Sequence, residues 1–208
     1  MNDWPAAERR MVLSYARNGA RPALAALLAL DDALASVLRN VREPTIAQMR
    51  MTWWHDALTR LDAGPAPAQP VLQALARHVL PGGVSGHELT RIVEGWEELV
   101  PPGDLDDVAL ARFAAGRGAL FELGGRLLGC TGPLAEAGRG WALADLALHS
   151  RDGARAAALA APLLATAAEQ RWDREGRALG AMVHLARLEG AAPAARTLRA
   201  VWHRLTGL

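Results

Sequence analysis

Helix-start chemistry recurs at short intervals along this chain, and strand-forming residues are too sparse to compete with it. Pro22, Pro44 and Pro133 stand at first-turn positions, where a missing N–H is harmless, and Ser85 with Glu88 forms an S-x-x-E capping box. Asp104 and Asp107 repeat that spacing with carboxylates. Between these signals apolar residues return with helical period, on a background of Ala, Leu and Arg that holds only one Tyr and two Phe. The pattern predicts helices at 5–17, 22–40, 44–62, 69–79, 85–100, 105–129, 133–150, 153–169, 173–189 and 192–206. About ten helices without a sheet make the expected fold all-α, a single helical bundle.

A chain of 208 residues, half of them apolar, can bury one substantial core, so residues 1–208 are read as one domain. The proline-rich run Gly64-Pro-Ala-Pro-Ala-Gln-Pro70 is too short and too closely flanked by helices to divide it. Ala154 to Ala168 is almost all Ala and Leu, which suits a smooth helix that approaches its neighbours closely.

The formal net charge of +1 is too balanced for a nucleic-acid binder, and no nucleic acid is expected as a partner. The charge is unevenly spread, because from residue 170 onward seven arginines face three acids. A solvated helix face accounts for that excess, with an anionic surface as the other reading. The lone Cys130 cannot form an internal disulfide or a cysteine metal cluster, and it fits a buried packing residue in a reducing compartment. No stretch reaches the roughly 18 uncharged apolar residues of a spanning helix, and Met1 to Pro5 carries an acid where a signal peptide would be basic. The expected location is cytoplasmic, with membrane contact peripheral at most. The amphipathic C-terminal helices, with Val183, Leu185, Leu188, Leu198, Val201 and Leu205 among arginines, are read as packing onto the bundle, with a membrane surface as the other reading.

Residues 44–62 carry two apolar stripes. Ile46, Met49, Trp53, Ala57 and Leu61 form one, and Met51, Trp54 and Leu58 form the other. Adjacent residues on a helix point about 100° apart, so burying both Trp53 and Trp54 needs two neighbours and makes this helix central.

The string Arg42-Glu-Pro-Thr-Ile-Ala-Gln-Met-Arg-Met-Thr-Trp-Trp-His-Asp-Ala-Leu58 resembles the segment after the first active-site helix of squalene/phytoene synthase-like proteins. It is most similar to a divergent branch that includes a mitochondrial assembly factor for respiratory complex I. Ala23 to Leu38 resembles the family's first helix, Ile92-Val-Glu-Gly-Trp-Glu-Glu-Leu99 its "I-D-G-x-x-x-D-L" helix, and Phe113 to Gly129 the helix ending "V-A-G-x-V-G". Leu198-Arg-Ala-Val-Trp-His-Arg-Leu205 is similar to the ending of the divergent branch. The resemblance implies the isoprenoid synthase fold, a helical bundle around a cavity.

The chemistry that the resemblance implies is prenyl transfer, which ionises an allylic diphosphate with Mg²⁺ held on two facing aspartate clusters. For the first cluster, "Y-A-x-C-R-x-x-D-D-x-x-D" meets Leu28-Ala-Leu-Asp-Asp-Ala-Leu-Ala-Ser-Val-Leu-Arg39, which puts Ala35, Ser36 and Arg39 at the metal positions. For the second, "Q-L-x-N-x-x-R-D-x-x-x-D" meets Ala144-Asp-Leu-Ala-Leu-His-Ser-Arg-Asp152, where only Arg151-Asp152 survives and Asp152 reads as a helix cap. Asp31 and Asp32 need partners if buried, and Arg42, Arg50 or Arg91 are the arginines considered. Glu94 and Glu98 lie one turn apart on a helix that the resemblance sets beside the cavity, and an exposed face explains them equally well.

Asp31, Asp32, Arg42, Arg50, Trp53, Glu94, Glu98, Arg151 and Asp152 are therefore the candidate cavity or ligand-binding residues, with no catalytic or metal residue assigned. The six histidines show neither H-x-x-x-H nor H-E-x-x-H spacing, and Gly116-Arg-Gly118 lies inside a helix, where a phosphate loop has no place. The expected function is a squalene/phytoene synthase-like protein with degenerate aspartate motifs. Its role would be that of a non-catalytic scaffold, a lipid binder or a respiratory-complex assembly protein. The alternative is a prenyltransferase in which Arg39, Arg42 and Arg151 hold the diphosphate. No cofactor is expected under the first reading and Mg²⁺ under the second; an isoprenoid or lipid ligand and a protein partner are the partners considered.

Overall fold

The computed structural model describes residues 6–188 and 190–208, so the predicted helix ends at 5 and 189 and the reading of Met1 to Pro5 lie outside the described residues. The described residues form ten α-helices and no strand. In chain order these are α1 (Ala6–Tyr15), α2 (Arg21–Asn40), α3 (Pro44–Arg60), α4 (Pro70–His78), α5 (Gly86–Glu97), α6 (Asp107–Leu128), α7 (Leu134–His149), α8 (Gly153–Glu169), α9 (Arg177–Arg187) and α10 (Pro193–Thr206), with a short 3-10 turn at Leu80–Gly82. No helix is long and apolar enough to cross a membrane among the described residues.

The start signals act largely as the sequence suggests. Ser85 and Glu88 make the reciprocal capping box at α5, and proline lies in the first turn of α2, α3, α4 and α10. At α6 the cap is Asp106, whose carboxylate accepts from Ala109 N at 2.7 Å, in place of the expected Asp104 and Asp107 pair. The alanine-rich α8 is less smooth than expected, because Pro162 lies inside it and removes one donor from its ladder.

Consecutive helices α5, α6, α7 and α8 pack side by side, with α2 across α4 and α6, and with α9 against α8, α7 and α1. Glycines set the closest approaches. A Cβ on Gly116 would stand 2.6 Å from Gly95 Cα of α5, and one on Gly118 would stand 2.7 Å from the Gly138 carbonyl carbon of α7. Residue 117 lies between these two crossings, so its side chain is carried into the centre of the bundle.

Helix α3 is peripheral, not central. Ala47, Met51, Trp54, Ala57 and Leu58 face the bundle, but Ile46, Met49 and Trp53 are exposed, Met49 by 67%. Trp54 is buried while Trp53 rests edge-on against it at 5.2 Å between ring centroids. Helical period reveals that a stripe exists but not how far its neighbour extends: the Met51, Trp54 and Leu58 stripe is buried throughout, the other only at Ala57 and Leu61.

Candidate functional site

Four helices each place one polar or amphipathic residue on an otherwise apolar inward stripe. On α2 the stripe runs through Leu24, Leu27, Asp31 and Leu34; on α6 it runs through Leu110, Phe113, Arg117 and Leu120. Helix α5 contributes Trp96, and α7 contributes Asp145 one turn beyond Trp141. These residues meet. Arg117 Nε and Nη2 donate to the two oxygens of Asp31 at 2.9 Å each, and Nη1 donates to Asp145 at 2.6 Å. Trp96 Nε1 adds a further bond to Asp31 at 2.8 Å.

The arginine is also enclosed by aromatic rings. Its guanidinium carbon lies 4.5 Å from the Trp96 ring centroid and 4.4 Å from that of Trp141, with Phe113 further off at 5.9 Å. Arg117 and Asp31 are fully buried. Burial by itself would lower the arginine pKa, yet the attraction of Asp145 and Asp31 outweighs it and holds the guanidinium charged. Burial likewise pushes the Asp145 carboxyl up, and Arg117 more than reverses this, leaving it below the usual carboxylate range. The centre of the bundle is thus a closed network of carboxylate, guanidinium and carboxylate, stacked between indoles.

Mg²⁺, which prenyl transfer would require, does not fit these residues. Both Asp31 oxygens already accept charged or indole donors, and the guanidinium between Asp31 and Asp145 would repel a second cation. Among the described residues no group of three or more His, Cys, Asp or Glu side chains is placed to hold a metal ion.

The other residues singled out in the sequence do not converge on this centre. Asp32 pairs with Arg9 on α1, and its carboxyl is pushed up mainly by burial. The arginines considered as partners for Asp31 and Asp32 are engaged or placed elsewhere: Arg91 bonds Glu122 at 3.1 Å, while Arg42 and Arg50 are exposed. Glu94 accepts from Thr90 at 3.3 Å and lies 4.0 Å from His55, and Glu98 lies 3.9 Å from Arg112. Arg42, Arg151 and Asp152 do meet, around a pocket of about 320 Å³ near the ends of α2 and α7. Asp152 does not cap α8 with its side chain; it accepts from Leu105 N at 3.0 Å and so ties down the entry to α6.

A larger hollow lies elsewhere. Leu110, Ala114, Leu143, Leu159, Pro162 and Leu163 of α6, α7 and α8 line a groove of about 850 Å³, with Arg112 and Arg139 beside it. That volume is within the range of sites that take a drug-sized or lipid-sized molecule.

A bundle of ten helices without a strand among the described residues is consistent with the all-α isoprenoid synthase fold. The model of the squalene/phytoene synthase family matches residues 6–109, half of the chain, and the chain belongs to that family. The match takes in Asp31 and Trp96 but ends before Arg117 and Asp145. No curated protein and no solved structure matches the chain significantly.

Proposed function

We propose that this chain is a non-catalytic member of the squalene/phytoene synthase family, residues 1–208 working as one helical domain that serves as a scaffold or lipid-binding protein. The observation that carries the reading is Arg117. It supplies a permanent positive charge between Asp31 and Asp145, so these carboxylates serve folding and are not open to a catalytic metal. With these carboxylates held by Arg117, what the bundle offers is recognition surfaces. The apolar groove beside Arg112 and Arg139 suits an isoprenoid or other lipid chain with an anionic end. The exposed Ile46, Met49 and Trp53 stripe suits a protein partner of the kind that a respiratory-complex assembly role would need.

A second reading has one observation in its favour. Arg42 and Arg151 share a pocket, and arginines can hold a diphosphate directly, which would make the chain an unorthodox prenyltransferase. One experiment separates the two. Purified protein is incubated with farnesyl or geranylgeranyl diphosphate with and without Mg²⁺, with calorimetry beside a product assay. The scaffold reading expects no product and no Mg²⁺-dependent binding. Turnover, or binding that requires Mg²⁺, would overturn it.

A further inference from the structure

Helix α10 is turned inside out. Its bundle-facing side carries Arg196, Ala200 and His203, all buried. Arg196 Nε and Nη2 donate to Glu8 at 2.7 Å each, and Nη1 donates to the Leu188 carbonyl at 3.0 Å. His203 Nε2 lies 3.1 Å from the Arg177 carbonyl, and the Gly207 carbonyl accepts from Trp172 N at 2.8 Å. These bonds fix the rotation of the helix from both ends. As a result Leu198, Val201, Trp202 and Leu205, spaced i, i+3, i+4 and i+7, face away from the protein. Leu198 is 71% and Leu205 73% exposed. The C-terminal helices were expected to pack their apolar residues onto the bundle; α9 does so with Val183 and Leu185, and α10 does the opposite.

Arg204 lies on the flank of this stripe, one turn beyond Val201, and extends over the Tyr15 ring at 5.1 Å. It borders a hollow of about 550 Å³ that also gathers Arg17, Arg21, Arg174 and Arg177. Against these five arginines stands Glu175, at 3.7 Å from Arg17. Helices α2 and α9 begin at Arg21 and Arg177 without a side-chain cap, which brings two positive helix ends to the same place. An apolar stripe next to a five-arginine hollow complements one kind of surface, apolar within and negatively charged at its edge. A second copy of this chain set stripe to stripe would instead bring like arginines together.

We propose that α10 docks the protein on an anionic bilayer. Leu198, Val201, Trp202 and Leu205 enter the interface, and Arg17, Arg21, Arg174, Arg177 and Arg204 take the phosphate of an anionic phospholipid. This surface is separate from both the bundle centre and the groove, and it does not depend on the protein being catalytically inactive.

The test is co-sedimentation of the full chain with vesicles of phosphatidylcholine alone and with phosphatidylglycerol added. The expected result is pelleting only with phosphatidylglycerol, weakening as salt rises from about 0.1 M to about 1 M. The double variants Arg174→Glu/Arg204→Glu and Leu198→Gln/Leu205→Gln should each weaken binding by about tenfold or more while the helical circular dichroism is unchanged. Failure to pellet at low salt, equal pelleting with neutral vesicles, or undiminished binding by either variant overturns the proposal. So does a dimer in solution that Leu198→Gln/Leu205→Gln dissociates. Calorimetric binding of inorganic phosphate without vesicle binding also overturns it, and assigns the hollow to a soluble phosphate compound.

Discussion

The centre of the bundle and its C-terminal layer both bury charged or ionisable side chains, and they do so to opposite ends. Around Arg117 both carboxylates and the Trp96 N–H are hydrogen-bonded, and the Trp96 and Trp141 rings stack against the guanidinium. Between α9 and α10, His184 and His203 lie with ring centroids 4.6 Å apart, and His184 Nε2, His203 Nδ1 and Arg177 Nε find no hydrogen-bond partner among the described residues. The first network locks four helices around a fixed point. The second turns one helix so that its apolar side is left for something outside the fold. A fully satisfied buried polar network rigidifies the fold and specifies one packing, whereas each unmatched buried group costs stability.

The largest effect should come from breaking the central network by one member. Arg117→Met leaves Asp31 and Asp145 without their cation and is expected to destabilise the fold by about 3–5 kcal/mol in urea unfolding. Replacing all three residues, as Asp31→Leu/Arg117→Met/Asp145→Leu, should recover much of that loss. A triple variant no more stable than the single one would mean that the network contributes more than mutual neutralisation. Next, Gly118→Ala sets a Cβ against the α7 backbone near Gly138 and should destabilise by about 1–3 kcal/mol, with the same measurement as readout.

The C-terminal layer should respond to pH in a window that the centre does not share. Burial is the main cause that lowers His184 to about 3 and His203 to about 4, from an ordinary 6.5. The unfolded chain therefore binds protons below about pH 6.5 that the folded chain refuses. Stability falls on acidification from there towards pH 4, by up to about 1.4 kcal/mol per pH unit for each histidine. Asp145, whose pKa is lowered, loses its contribution only below the ordinary carboxylate range. Urea midpoints at about pH 7 and pH 5, compared with a His184→Gln/His203→Gln variant, isolate the pair. The comparison also cancels Asp32 and Glu97, whose raised values act in the opposite sense. An equal pH slope in both proteins would show that the histidines are not buried neutral. The smallest effect is expected at the outer face of α10, where Leu198→Gln and Leu205→Gln should each change stability by less than about 0.5 kcal/mol. A larger loss would place those side chains inside the fold.

Much of the helix plan was legible because caps and helical period are local signals, and the capping box at Ser85 and Glu88 operates as read. What local signals could not decide was which stripe finds a neighbour. Trp53 and Leu198 have the spacing of core residues and are exposed; Arg196 and His203 look like surface residues and are buried. The site was half legible. Asp31 is a candidate, with Asp32, through the resemblance of its helix, but its partner Arg117 lies 86 residues away and is not among Arg42, Arg50 and Arg91. The available hint was an arginine flanked by Gly116 and Gly118 inside an apolar helix, where both neighbours give up their side chains to a helix crossing. Asp145, alone among Ala and Leu four residues after Trp141, carried the same kind of hint.

On the proposed reading, Asp31 and Asp145 are held by Arg117 and closed to a metal. The direct measurement is the thermal midpoint of the purified chain across a Mg²⁺ titration, beside Asp31→Asn and Asp145→Asn. A ligand that binds only the folded state stabilises it by about 2.7 kcal/mol at a hundred times its Kd, so a real site would be visible. The expected result is a midpoint that does not move with Mg²⁺ in any of the three proteins. A saturable rise in the wild type that either substitution abolishes would contradict the account and return these carboxylates to metal chemistry.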